Sequence, residues 1–184
     1  MRLNALAGVF RKEGFLEDSY HYLQQAVYFE PGKPKTIGTV LPLQNALAIR
    51  IEMGDLLAIS GRHAKAVEQY RAALQIDPKS VIAHTMLGRI LFELGQMNQA
   101  LTHLRKAITL APYNPAAQRL LGVLLSEQGD PAGMDHLNRA LKLRPDHALT
   151  HYNIGNVLAG QGQMDKAIAH FKKTLELTKT EGNE

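Results

Sequence analysis

Two sets of glycines recur along this chain with nearly the same spacing, and this regularity restricts the folds open to it more than any other feature. Members of the first set lie 34, 34 and 33 residues apart: Gly54, Gly88, Gly122 and Gly155. Members of the second set each follow seven residues later: Gly61, Gly95, Gly129 and Gly162. Several independent positions that keep one period indicate internal repeats, each a supersecondary unit that packs on its neighbours.

Prolines follow the same period, and they suggest where each repeat ends. They lie 47, 34 and 33 residues apart: Pro31, Pro78, Pro112 and Pro145. We interpret each repeat as a first helix of about thirteen residues, a turn at a glycine, and a second helix closed by a proline. Glycine inside a helix costs about 1 kcal/mol relative to alanine, so its return at one position indicates close helix packing. Large residues are expected to fill the gaps: Tyr70, Leu104 and Phe171.

This frame closely resembles the tetratricopeptide repeat. That family's signature of about 34 residues has small residues at its eighth, twentieth and twenty-seventh positions and proline at its thirty-second. The corresponding residues here are Gly88, Ala100, Ala107 and Pro112. The resemblance implies an all-α fold, a right-handed α-solenoid of stacked antiparallel helix pairs, whose inner groove holds protein or peptide partners.

The repeats are assigned to residues 1–33, 47–80, 81–114, 115–147 and 148–181, which predicts about ten core helices in one array and no sheet. The insert at 34–46 is expected to be a surface loop, with the next helix extending back to Leu43. A segment that covers the groove or touches a neighbouring domain is the alternative. The fourth repeat is one residue short, reads "GDPAGMD" at its turn, and has Gly133 in place of the usual alanine. We expect an altered helix start there, with Pro131 in the first turn.

Composition limits the chemistry. The chain has no cysteine, which rules out disulfide scaffolds, thiolate nucleophiles and cysteine zinc sites. No apolar run approaches the roughly 18 residues of a membrane span, so no membrane partner is expected. These features predict a soluble, cytoplasmic protein, with the periplasm as the alternative if the chain is part of a longer one.

Catalytic and metal sites find little support in the sequence. It has no G-x-S-x-G segment and no phosphate-binding loop of the Walker type, so we expect neither an enzyme nor a cofactor. His147 and His151 stand four apart, as zinc ligands on one helix do, but no third ligand is recognisable nearby. His84 and His151 occupy equivalent positions in two repeats, which favours a packing role and no metal.

Basic residues recur late in the second helices and would form a stripe on stacked repeats: Arg71, Arg105, Lys106, Arg139, Lys172 and Lys173. Such a stripe could meet nucleic acid. The net charge of +4 is mild, however, and only 6% of the residues are aromatic, which weakens the case for stacked bases. A solvated outer face is the simpler interpretation, and no nucleic-acid partner is expected.

The family resemblance places the groove on the first helix of each repeat. The residues predicted to line it are Asp55, Thr85, Arg89, Phe92, Arg119, Tyr152, Asn153 and Asn156. Neighbouring first helices lie about 10 Å apart, so Arg89 and Arg119 could grip one carboxylate. Tyr152 and the two asparagines would then hold the main chain of an acidic peptide. The alternative is that Glu93 and Glu127 neutralise the arginines and leave a structural ion-pair ladder.

These observations favour a non-catalytic module that captures a protein or peptide. A substrate-recruiting region of a larger enzyme, such as a bacterial glycosyl- or sulfotransferase, is the main alternative. The short first repeat and the lack of a polar capping helix predict a fragment or an oligomer. Homo-oligomers would form through terminal repeats that expose residues such as Ile168, Phe171 and Leu175.

Overall fold

The computed structural model describes residues 43–181. Over this range the chain forms eight α-helices and no β-strand. They are α1 Leu43–Ile59, α2 His63–Ile76, α3 Val81–Glu93, α4 Met97–Leu110, α5 Pro115–Glu127, α6 Ala132–Leu143, α7 Ala148–Gly160 and α8 Met164–Glu181. The all-α prediction is confirmed. The first repeat and most of the 34–46 insert lie outside the described residues, while α1 begins at Leu43 as expected.

The chain divides into two compact units, Met1–Gln96 and Met97–Glu184. In the first, α1 packs on α2, and both contact α3. In the second, each helix from α4 to α8 packs on the next, and α5 also contacts α7. Fully buried aliphatic side chains such as Leu56 and Leu91 in the first unit, and Leu124 and Leu137 in the second, form the core. The limits of the repeats themselves stay predictions.

The turn glycines are required by backbone conformation. Gly61, Gly95, Gly129 and Gly162 have φ between 73° and 75°, a region that residues with a Cβ rarely adopt. A Cβ added at any of them would meet no atom within 4 Å, so space is not the constraint. At the α5–α6 turn the Asp130 amide donates to the Leu125 carbonyl at 2.9 Å. This six-to-one bond marks a Schellman helix end.

The glycines inside the first helices provide room for rings on the second helices. A Cβ on Gly54 would lie 2.5 Å from Cε1 of Tyr70, and a Cβ on Gly155 would lie 2.5 Å from Cε1 of Phe171. Both distances are far below van der Waals contact, so each ring lies directly against its glycine. Tyr70 and Phe171 therefore fill gaps at the small positions, as the repeat frame predicted.

The α5–α6 pair replaces this ring contact with two glycines. A Cβ on Gly133 would meet the Ser126 side-chain oxygen, and would lie 2.6 Å from the Ser126 amide nitrogen and 2.7 Å from the Gly122 carbonyl oxygen. The two backbones therefore approach closely at this crossing. Pro131 directly precedes α6 with φ −61° and ψ −24°. The helix start is therefore altered as expected, but Pro131 lies just before the first turn and not in it.

A recurring hydrogen bond joins consecutive repeats. Side chains at one position of the first helix contact the carbonyl of the proline six residues earlier: His84 to Pro78 at 3.1 Å, Gln118 to Pro112 at 2.7 Å, and His151 to Pro145 at 3.0 Å. The same position also reaches the second helix of its own repeat, as Gln118 does to His136 at 2.7 Å and His151 to His170 at 3.0 Å. His84 and His151 therefore have the structural role that their equivalence suggested.

Candidate functional site

The second unit contains a cleft of about 490 Å³ between α5, the turn that follows it, the start of α6, and α7. This volume falls within the range of small-ligand pockets. The cleft is lined by Val123, Ser126, Glu127, Gly129, Asp130, Pro131, Met134, Asn153, Asn156, Val157, Gly160 and Gln161.

Two polar atoms of the cleft residues are buried without a partner. Neither Oγ of Ser126 nor Nδ2 of Asn153 makes a hydrogen bond to any of the described residues. Leaving such a group unsatisfied costs about 1–3 kcal/mol, so native structures seldom do it without a reason. Both atoms are closed off from solvent, so either side chain would have to rotate before its polar atom could reach a ligand in the cleft.

The floor of the cleft is apolar. Val123, Met134 and Val157 are half-buried and pack against the core cluster of the second unit, which includes Leu137 and Ile154. The flexible thioether chain of methionine adapts to ligands of different shape. The cleft therefore pairs an aliphatic floor with polar groups, as ligand pockets commonly do.

Both charged residues of the cleft are acidic. Glu127 is the last residue of α5, and Asp130 lies in the turn before α6. Asp130 also accepts a hydrogen bond from the Ala132 amide at 2.9 Å, which caps the start of α6. No lysine, arginine or histidine is among the residues that line the cleft.

The shortened fourth repeat shapes this cleft. Its irregular turn supplies Gly129, Asp130, Pro131 and Met134 to the lining. The turn is recognisably unusual in the sequence, but no site was predicted there. Val157 was not predicted either, because the family's groove positions do not include it. The departure of "GDPAGMD" from the repeat pattern was the signal that could have found these residues.

The predicted groove residues of the second unit are divided between different surfaces. Asn153 and Asn156 line the cleft. Tyr152 instead borders a smaller hollow of about 330 Å³ with Leu149 and Thr174, and its ring centroid lies 5.9 Å from that of Phe171. Arg119 lies half-buried on α5 and does not line the cleft.

In the first unit, the charge of Arg89 is already matched. Its Nη1 lies 3.1 Å from Oε1 of Glu93, and Nδ1 of His63 lies 3.8 Å from the other carboxylate oxygen. This pairing agrees with the alternative in which Glu93 neutralises Arg89. Arg89 and Arg119 belong to different units, and their convergence on one anion stays a prediction.

Three further predicted groove residues lie in the first unit. Asp55 accepts a hydrogen bond from the Tyr70 hydroxyl at 2.6 Å. Burial, followed by the hydrogen bond to Asp55, raises the pKa of Tyr70 well above its usual value, although nearby Arg89 lowers it. Thr85 is 1% exposed and donates to the Val81 carbonyl, which argues against ligand contact, and Phe92 is half-buried.

Residues 43–181 contain neither a cluster of metal-ligand side chains nor a membrane-spanning helix. No three acidic, histidine or cysteine side chains of this range are grouped as metal ligands would be. His147 bonds Thr150 at 2.7 Å, while His151 contacts Pro145 and His170. None of the helices in this range has the length and apolar character needed to cross a bilayer.

The residues of the basic stripe are all exposed. Lys173 lies 3.4 Å from Glu176 on the same helix. A pair this exposed contributes little to stability, so the stripe has the character of a solvated surface.

Two family profiles match parts of this chain. One, described as TPR repeat, matches residues 54–92 and 88–129, and another, described as tetratricopeptide repeat, matches residues 148–178. The matched segments together take in more than half of the sequence. The chain belongs to the tetratricopeptide-repeat family. The resemblance drawn from Gly88, Ala100, Ala107 and Pro112 is thereby confirmed.

Solved structures of this repeat family agree on the fold. A crystal structure of MamA is 19% identical, with 97% of each chain covered and a TM-score of 0.71. MamA from Desulfovibrio magneticus RS-1, from residue 41 to its end, is 23% identical, with 97% of this chain and 94% of that chain covered and a TM-score of 0.71. YrrB, described as a TPR protein with an unusual peptide-binding site, is 19% identical, with 95% and 84% covered and a TM-score of 0.65. A comparison with curated proteins gives no match.

Proposed function

We propose that this chain is a non-catalytic interaction module that holds an extended peptide in the cleft of its second unit. The observation that carries the proposal is the placement of Asn153 and Asn156 in this cleft, beside its apolar floor. An asparagine amide offers both a donor and an acceptor, which are the groups that a peptide main chain requires.

The placement of the second asparagine supports this interpretation. Asn153 and Asn156 are three residues apart on α7, so they share one face of the helix. Asn156 is exposed while Asn153 is half-buried, so a peptide could contact one amide at the rim and the other deeper in the cleft. The peptide-binding site named for YrrB is consistent with this proposal.

The proposal is tested on an array of random synthetic peptides probed with the full chain. Replacing both amides, Asn153→Ala with Asn156→Ala, should lower the retained signal at least about tenfold, since two hydrogen-bonding groups are removed. The matched control is Asn138→Ala, an exposed asparagine on α6 that does not line the cleft. Circular dichroism should not change in either variant, and the melting temperature should not fall, because Nδ2 of Asn153 has no partner among the described residues.

The proposal is contradicted if the unmodified chain retains no peptide at all, or if the double asparagine variant retains peptides equally. Loss of binding together with loss of the helical signal would also count against it, because the two asparagines would then be structural.

We also propose homo-association through α8. Met164, Ile168 and Leu175 are 55%, 45% and 61% exposed, and their spacing places them along one side of the helix. Phe171 was predicted to belong to this surface, but it packs against Gly155 and Tyr152 instead. Ile168→Asp with Leu175→Asp should shift sedimentation to a lighter species, and a chain that is already monomeric at high concentration would exclude the proposal.

The cytoplasm stays the proposed compartment. Recruitment of a substrate to a larger enzyme also stays a proposal, and the length of the whole gene distinguishes it from a stand-alone module. For the basic stripe, the salt dependence of any binding to nucleic acid is the relevant measurement.

A further inference from the structure

The charges of the cleft indicate which peptides it selects, given the proposed function on which this inference rests. We infer that the cleft takes a segment in which an aliphatic side chain stands next to lysine or arginine. This is opposite to the acidic partner that Arg89 and Arg119 suggested.

The charged side chains that line the cleft favour a cationic ligand. Glu127 and Asp130 are both exposed at the cleft, and no cationic residue lines it. One oxygen of Asp130 is used to cap α6, and this bond fixes the carboxylate in place. A cationic side chain in the cleft would therefore meet two carboxylates and no like charge from the lining.

The helix ends at the cleft also favour a cationic ligand. Ser126 and Glu127 are the last two residues of α5, and Gly160 is the last residue of α7. Both helices thus end at the cleft, and helix C-termini carry a partial negative charge that favours cations. The α6 N-terminus has the opposite sign, but the Asp130 carboxylate already caps it. The backbone and the side chains therefore favour the same ligand charge.

The apolar floor of the cleft favours an aliphatic side chain in the ligand. Val123, Met134 and Val157 present an aliphatic surface continuous with the core. Burying an aliphatic side chain there removes apolar area from water, and this is the main source of favourable free energy in such pockets. A cationic neighbour could then keep its charged head at the wet rim, because long basic side chains place their methylene stems along apolar surface.

Three labelled synthetic probes test the inference on the full chain by fluorescence polarisation. They share one backbone and carry lysine–leucine–lysine, glutamate–leucine–glutamate or lysine–serine–lysine at the centre. The first should bind at least about tenfold more tightly than either of the others, and the preference over the acidic probe should shrink when salt rises from about 0.05 to 0.5 M.

Two variants establish that the cleft is responsible. Glu127→Gln with Asp130→Asn keeps the shape of both side chains, and the asparagine oxygen retains the cap on α6. This variant should lose most of the preference for lysine over glutamate. Glu68→Gln removes one exposed negative charge from α2 in the other unit, and the preference should not change.

The outcomes separate the inference from the proposed function. If the acidic probe binds more tightly, and its binding requires Asn153, the charge inference is wrong while the peptide-binding function stands. An unchanged lysine preference in the Glu127 and Asp130 variant would also overturn the inference. If no probe binds and the random array retains nothing, both the function and the inference are wrong.

Discussion

One position of the repeat has a different role in each of the two units. Asp55, Arg89, Val123 and Asn156 each directly follow the glycine inside a first helix. In the first unit the two charged members have partners, Tyr70 for Asp55 and Glu93 for Arg89. In the second unit Val123 and Asn156 both line the cleft.

The rings that pack on Gly54 and Gly155 account for part of this difference. Tyr70 lies against Gly54 and Phe171 lies against Gly155, and only the tyrosine carries a hydroxyl. Asp55 therefore finds a hydrogen-bond donor inside its own helix pair, whereas Phe171 offers none to Asn156. The tyrosine hydroxyl thus makes Asp55 structural, whereas its equivalent Asn156 lines the cleft.

The largest effect should come from Gly133→Ala in the second unit. Its new Cβ would meet backbone atoms, the Ser126 nitrogen and the Gly122 oxygen, which cannot move without separating α5 from α6. We expect a loss of about 1–3 kcal/mol in the free energy of unfolding, measured by urea denaturation.

Gly54→Ala sharpens the comparison, since the three atoms nearest its Cβ all belong to the Tyr70 side chain. It should cost less than Gly133→Ala. Gly160→Ala is the control, because nothing lies within 4 Å of its Cβ and it should change stability by no more than about 0.5 kcal/mol. Equal costs at Gly133 and Gly160 would show that α5 and α6 do not cross as described.

A smaller effect should follow from Tyr70→Phe, which makes the first helix pair resemble α7 and α8. The variant keeps the ring against Gly54 but leaves Asp55 without its donor, at a cost of about 0.5–1.5 kcal/mol. Tyr113→Phe is the control, since Tyr113 is 82% exposed. A Tyr70→Phe variant as stable as the Tyr113 control would show that the hydroxyl contributes nothing.

The same hydroxyl predicts sensitivity to alkali. The pKa of Tyr70 is raised above its ordinary value of 10.0 by burial and by Asp55. Above pH 10 the unfolded chain therefore loses this proton while the folded chain retains it, and stability falls as pH rises. Thermal melts at increasing pH should show a steeper decline for the natural chain than for Tyr70→Phe. Parallel declines would contradict the assignment.

Much of the fold could be predicted from the sequence because the repeat period fixes several positions at once. Gly61 and its equivalents need positive φ, and Gly54 and Gly155 leave room for rings, so spacing alone located turns and helix contacts. The candidate site was harder to predict. Asn153 and Asn156 were found, but the placement of Tyr152 on another hollow depends on which way the helix face turns.

The sequence does not show which polar side chains already have a hydrogen-bond or ion-pair partner in the fold. Arg89 and Asp55 seemed suited to ligands by residue type, yet each has a partner within the first unit. Conversely, Met134 gave no signal of its own, because its role arises from a turn one residue shorter than its equivalents. Whether a polar group is satisfied depends on tertiary contacts, which periodicity does not encode.

The smallest effect is expected from a comparison of two repeat junctions in the second unit, the one formed by His151 and the one formed by Gln118. His151 donates from Nε2 to the Pro145 carbonyl, so in its neutral form its Nδ1 must accept from Nδ1 of His170, 3.0 Å away. If both rings are protonated, two N–H groups oppose each other and this bond is lost. At the other junction the Gln118 oxygen accepts from His136 in either protonation state.

Burial, followed by the charge of His151, lowers the pKa of His170 below its ordinary value of 6.5. The unfolded chain therefore binds this proton first, and stability should fall as pH drops below 6.5 towards the folded pKa. His151→Gln copies the Gln118 junction and should reduce the acid-induced drop in melting temperature between about pH 7.5 and 5.5. The control is His136→Gln, which removes another histidine whose pKa is lowered, chiefly by burial and then by Arg139. An equal gain in acid resistance from both variants would mean that burial alone is responsible and that the opposed ring nitrogens add nothing.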